Sequence, residues 1–313
     1  MTSISSDTHR SLPFVELAAT GKNNWWRYVV SIPAIVAVAM AFVFASVVLL
    51  RNLGFSGVLD NLSSFDAESL SGDLRLSVLT FALALSMIAW YLFAVLIIVP
   101  IVHQRPWRTL IHVGCCFNWA GFFISLLIVV LVAPIELLFE LFKEDPDLIV
   151  TFEGQRFFAF ALVAILFLPF QILAEEVFFR GYILQGIAAI TSQFWVRLLI
   201  PAIFFAAAHS LNTEVVGGGL WAMAIYLTIG LYLGMLVFRG NGLEYAAGFH
   251  LGNNLVVALI VSTPDSSLGT PTIFRISEVD WGVEMIVGTI VFFAIHYFVV
   301  FKLLRPFHDR STG

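Results

Sequence analysis

Two glutamates and an arginine stand together inside an apolar run: from Ala174 the chain reads Ala-Glu-Glu-Val-Phe-Phe-Arg-Gly-Tyr. A charge at the centre of a membrane helix costs about 2.5–3.5 kcal/mol on the insertion scale. Three of them, unpaired and facing lipid, would cost on the order of 8–10 kcal/mol. Folding alone does not require that expense. On a helix, Glu176 and Arg180 are four apart and share a face, while Glu175 points about 100° away. The pattern reads as one structural ion pair and one carboxylate left for chemistry. Two further pairs follow at the same four-residue spacing, Phe205 with His209 and His250 with Asn254, both in apolar surroundings. Each pair projects from nearly one helix face. A carboxylate and one imidazole can orient and deprotonate water. A second imidazole and an amide can donate hydrogen bonds to a developing oxyanion.

Plainer readings exist for each group. Glu175, Glu176 and Arg180 could form a buried ion network that stitches helices together. His209 could be a hydrogen-bonded core histidine, and His250 with Asn254 interhelical glue. Glu175, His209 and His250 are also permissible zinc ligands. No His-Glu-x-x-His helix occurs, however, and the expectation is neither metal nor cofactor. Gly217, Gly218 and Gly219 lack the lysine and serine context of a phosphate loop, which argues against a nucleotide site. Glu136 and Glu140 read as interfacial, and His296 as a packing residue.

The elements that must carry these groups are membrane helices. Of the 313 residues, 60% are hydrophobic and 12% charged, against roughly 25% charged in a soluble domain. Eight apolar blocks run 26–50, 76–102, 113–142, 157–190, 195–210, 220–238, 245–262 and 283–304. A spanning helix needs about 20 such residues. The fold class expected is therefore all-α, a polytopic membrane protein of about eight transmembrane helices. It is read as a short segment 1–25, one transmembrane domain 26–304 with its motif-bearing core at 105–255, and a tail 305–313. With both termini placed in the cytoplasm, basic residues divide ten inside to five outside, the bias expected of cytoplasmic loops. The net charge of −5 and the absence of a basic run argue against a nucleic-acid partner. The adjacent Cys115 and Cys116 read as small apolar core residues. The fourth block, at about 51 Å, is too long for a straight crossing, and Pro169 offers a place to bend.

The three motifs Glu-Glu-x-x-x-Arg, Phe-x-x-x-His and His-x-x-x-Asn, in this order on separate membrane helices, resemble the CAAX protease and bacteriocin-processing family. The matching residues are Glu175, Glu176 and Arg180, then Phe205 and His209, then His250 and Asn254. Phe179-Arg180-Gly181 and the Arg105-Pro106-Trp107-Arg108 loop add to the likeness. The resemblance implies an intramembrane endopeptidase that uses glutamate and water, with no obligatory metal and no acyl-enzyme. In it Glu175 would activate water with help from His209, and His250 and Asn254 would hold the oxyanion. Glu176 and Arg180 would keep the site together. The substrate implied is a peptide or protein at the lipid bilayer. Two other functions compete: a non-catalytic partner-binding or immunity protein, and a transporter, for which intramembrane carboxylates and histidines are also expected. Transporters often show repeated halves, and this chain has no detectable internal repeat.

Overall fold

The structure, a computed structural model, describes residues 12–63, 72–114, 116–141 and 147–304. Residues 1–11 and the 305–313 tail lie outside the described residues, as do Cys115 and the side chains of Glu136 and Glu140. Cys116 is exposed, not buried as its apolar setting suggested.

The described chain is overwhelmingly helical. Its α-helices are α1 (Trp25–Asn52), α2 (Ser56–Ser63), α3 (Leu74–His103), α4 (Trp119–Leu141), α5 (Gly154–Glu176), α6 (Leu184–Ala188), α7 (Phe194–Ala208), α8 (Thr213–Gly240), α9 (Glu244–Leu255) and α10 (Val283–Phe298). A π turn, Val177–Ile183, fuses α5 to α6, so that Gly154–Ala188 is one 35-residue rod. Among the described residues five helices are long and apolar enough to cross a membrane: α1, α3, the α5–α6 rod, α8, and α10 with its terminal turn to Leu303. The chain is an integral membrane protein. Two of the other apolar blocks give shorter apolar helical stretches, α7 and Trp119–Ala133 within α4, and a third gives the 12-residue α9.

The seventh block departs most from a simple span. Its helix stops at Leu255, passes through a π turn at Val256–Ile260 and enters a two-residue strand. Every residue from Glu244 to Gly252 is buried. The run is apolar because it lies inside the protein, where a 12-residue helix is more common than a crossing. Glycines set its position. A methyl added at Gly248 would overlap the backbone oxygen of Phe122, and one at Gly252 would come within 2.9 Å of that of Leu126. The small-x-x-x-small face therefore lies backbone to backbone on α4. His250, about 200° round the helix from both glycines, is turned the other way.

The all-α expectation missed one small sheet. Strands β1 (Leu148–Val150), β2 (Val261–Ser262) and β3 (Phe274–Ile276) lie in the order β1-β3-β2. The central β3 is antiparallel to β1 and parallel to β2, with Ile149 opposite Arg275 and Ser262 opposite the same residue. Strands of two or three residues are too short to show an alternating pattern.

At the other end of the bundle, the residues just before α1 pack onto the protein. Phe14–Thr20 forms a short 3₁₀ helix with Phe14, Val15, Leu17 and Ala18 buried. The Phe14 backbone N–H donates to Asn241 Oδ1 at 2.7 Å. Arg105 is buried, donating to Gln185 Oε1 at 2.6 Å. The stretch after it crosses the π turn so closely that a methyl at Gly181 would overlap the Leu110 carbonyl oxygen. Phe-Arg-Gly and the Arg105–Arg108 loop, separate features in the sequence, are two sides of one contact.

Candidate active site

Glu175 and Glu176 are the last residues of α5, directly before the π turn. Such turns interrupt a helix where side chains must be re-aimed, and they are frequent at functional sites. Glu176 and Arg180 are fully buried and paired, Arg180 Nη1 donating to Glu176 Oε1 at 2.9 Å. Arg180 Nη2 reaches the Gly230 carbonyl at 3.4 Å. The guanidinium also lies 4.4 Å from the ring centroid of Phe205, a cation–π contact. Sequence spacing read Glu176 as a structural partner of Arg180. The same Oε1 also accepts from His250 Nδ1 at 2.7 Å, so Glu176 fixes the tautomer and the angle of a cavity histidine as well.

Glu175 faces the other way. Its Oε1 accepts from Gln171 Nε2, one turn earlier on α5. Its Oε2 has no hydrogen-bond partner among the described residues. His209 Nε2 lies 3.7 Å from that atom and His250 Nε2 lies 3.8 Å from it. In both imidazoles Nδ1 is already engaged, His209 donating to the Phe205 carbonyl at 2.7 Å and His250 to Glu176. Both Nε2 atoms are thereby presented to the same carboxylate oxygen.

Phe205 explains its own place in the Phe-x-x-x-His motif. Its carbonyl holds His209, its ring centroid lies 4.4 Å from that of His209 and 5.9 Å from that of His250, and its face carries Arg180. Asn254 is one turn beyond His250 on α9, and its Oδ1 accepts from Asn253 Nδ2 at 3.3 Å.

Glu175, His209, His250 and Asn254 all line one cavity of about 810 Å³. Its walls are otherwise largely apolar and include Ile35 and Val36 of α1 and Phe81, Leu85 and Ile88 of α3. A few precisely placed polar groups in an apolar cleft is the usual make-up of a small-molecule or peptide site. Arg180 and Glu176 stand behind this surface and do not line it. Among the described residues no group of three or more His, Cys, Asp or Glu is arranged to hold a metal ion.

Sequence reasoning overlooked Gln171, Asn212, Glu214 and Tyr226, which share the cavity wall with Asn253. Gln171 had a signal, a lone amide four residues before Glu175 on an apolar helix. Tyr226, whose ring stacks on His209 at 4.5 Å and 25°, had none, because an aromatic in a membrane helix is unremarkable by composition. His296 is buried away from the cavity, accepting from Tyr232 Oη at Nδ1 (2.6 Å) and donating from Nε2 to the Ser125 carbonyl (3.1 Å).

Residues 155–256 match the family model for Type II CAAX prenyl endopeptidase Rce1-like proteins. That interval holds all three motifs and leaves out the Arg105–Arg108 loop. The uncharacterized protein YyaK of Bacillus subtilis (strain 168) is 28% identical over 266 residues, which is 82% of this chain and 85% of that protein. No solved structure matches. Over residues 155–256, about a third of its length, the chain is similar to the CAAX prenyl endopeptidase family.

Proposed function

We propose that this protein is an intramembrane endopeptidase that hydrolyses a peptide bond of a membrane-associated peptide or protein, with Glu175 as the base. The observation that supports this most is the meeting of two imidazole Nε2 atoms, at 3.7 and 3.8 Å, on one carboxylate oxygen that has no donor among the described residues. Those separations are too long for direct hydrogen bonds and suit a bridging water.

In this reading a water between Glu175 and His209 gives its proton to Glu175 as its oxygen adds to the substrate carbonyl. The oxyanion that forms is held by His250 and Asn254. With its Oδ1 accepting from Asn253, Asn254 keeps its NH₂ for that task. When one imidazole is protonated, two carboxylates, one guanidinium and one imidazolium sum to zero, which suits a site inside a membrane. His250, backed by Glu176, then offers an Nε2–H donor. Collapse of the intermediate breaks the C–N bond, and the proton taken from water passes to the leaving amine. Glu176 and Arg180 do not touch substrate.

The test is cleavage of a library of synthetic membrane peptides by purified protein in detergent, read by mass spectrometry. Wild-type protein should cut a subset and Glu175→Gln none, with the wild-type rate unchanged by a chelator. Cleavage that a chelator abolishes would favour a metal at Glu175, His209 and His250. A Glu175→Gln variant as active as wild type rejects the mechanism. A protein that cuts nothing, and whose binding of a partner survives Glu175→Gln, is a non-catalytic family member.

A further inference from the structure

We propose that Tyr226 is a positioning residue that fixes the plane of the His209 imidazole, and that Glu214, anchored by Ser267, holds Tyr226 in place. This rests on the reading of His209 as a working group of the Glu175 site.

His209 is not inside a helix. It is the residue that ends α7, with φ −93° and ψ 3°, so a regular backbone does not fix its side chain. The bond from Nδ1 to the Phe205 carbonyl sets one point of the ring and leaves it free to pivot about that point. Aromatic faces remove the pivot. Phe205 lies 4.4 Å away at 41°, and Tyr226 lies 4.5 Å away at only 25°. The near-parallel partner comes from α8, not α7, so its own placement must be secured across the turn between the two helices.

That turn is built to do so. Asn212 Nδ2 donates to Tyr226 Oη at 3.0 Å, and the hydroxyl donates to Glu214 Oε2 at 3.4 Å. Glu214 Oε1 accepts both the backbone N–H and the hydroxyl of Ser267, at 2.8 and 2.9 Å. Beside it, Thr213 Oγ1 donates to the Asp265 carbonyl at 2.6 Å. Asn212, Glu214, Tyr226 and Ser267 all line the cavity that holds Glu175. A tyrosine present only for packing has no use for a hydroxyl with an amide on one side and a carboxylate on the other. The amide, at 3.0 Å, is the closer hold on the hydroxyl, and the carboxylate, itself fixed by Ser267, is the looser one at 3.4 Å.

The angle of His209, and with it the direction of its Nε2, therefore depends on a loop more than fifty residues further along the chain. The experiment is NMR of full-length protein in detergent micelles, with ¹³C,¹⁵N-labelled histidine and His209 assigned from a His209→Gln variant. Wild type is expected to show one sharp His209 signal set in the Nδ1–H tautomer. Tyr226→Phe keeps the ring and loses the clamp, so His209 should broaden by exchange between orientations, and Glu214→Gln should do the same to a smaller degree. Tyr226→Leu should lose both the aromatic shift and the single tautomer. Sharp, wild-type-like His209 signals in Tyr226→Phe and Glu214→Gln overturn the proposal, whether or not the Leu variant folds. No substrate is used, so a wild-type protein that cleaves nothing rejects the endopeptidase reading and leaves this measurement standing.

Discussion

At the scale of single residues the proposed mechanism gives the two neighbouring glutamates different work. Glu175→Gln is expected to lower cleavage by about 10²–10⁴-fold, the range of general-base catalysis, with unfolding in detergent unchanged. Glu176→Gln removes the charge that faces both Arg180 and His250. Breaking a fully buried pair costs roughly 3–5 kcal/mol, so its thermal midpoint should fall clearly and its activity should fall too. A fully stable, inactive Glu176→Gln beside an active Glu175→Gln would mean that the roles are reversed. The pairing of Glu176 with Arg180 was legible because four-residue spacing is a local property of a helix. The bond from Glu176 to His250 spans 74 positions, and no local rule reports it.

At the scale of elements, α9 is held on α4 by the absence of side chains. Gly248→Ala places a methyl against the Phe122 carbonyl oxygen, and backbone there cannot yield as a flexible side chain would. A loss of about 1–3 kcal/mol is expected, as for other overpacked sites, together with reduced activity as His250 is pushed off Glu176. Gly288→Ala, in α10, has open space around it. It should be neutral or stabilising by about 0.5–1 kcal/mol. Equal midpoints for the two variants would contradict the packing argument. Hydropathy located α9 but misread its length, since an apolar run looks the same whether lipid or protein surrounds it. The π turn was invisible for another reason: its composition is that of the helix it interrupts.

At the scale of the whole molecule, both ends of the described chain pack at the C-terminal end of α8. Phe14 bonds Asn241, and Phe301 sits under Arg239 at 5.3 Å. Arg197 reaches Glu16 at this end as well, at 3.5 Å. Both ends of the described chain therefore lie on one face, and from the basic residues gathered there we propose that this face is the cytoplasmic one. Cysteine labelling in intact cells should protect both termini from impermeant reagents; labelling of either from outside would reverse the orientation.

One consequence concerns the bilayer itself. Helix α7 has 15 residues, about 22 Å of rise, against a hydrocarbon thickness of roughly 30 Å. Starting from the face that carries Arg197, it ends short of the far side, and the turn that follows exposes Leu211, as the start of α8 exposes Val216 and Leu220. In a bilayer of that thickness the tip that carries the site's histidine would rest on acyl chains, not on water. Gly219 adds a break there, with φ 54° and ψ −128°, a conformation open essentially to glycine. Hydrophobic mismatch costs fractions of a kcal/mol per ångström, enough to tilt a short hairpin. Lipid chain length then becomes an input to catalysis: in vesicles of graded phosphatidylcholine length the cleavage rate should pass through an optimum. A flat response would show that the tip is insulated from its solvent.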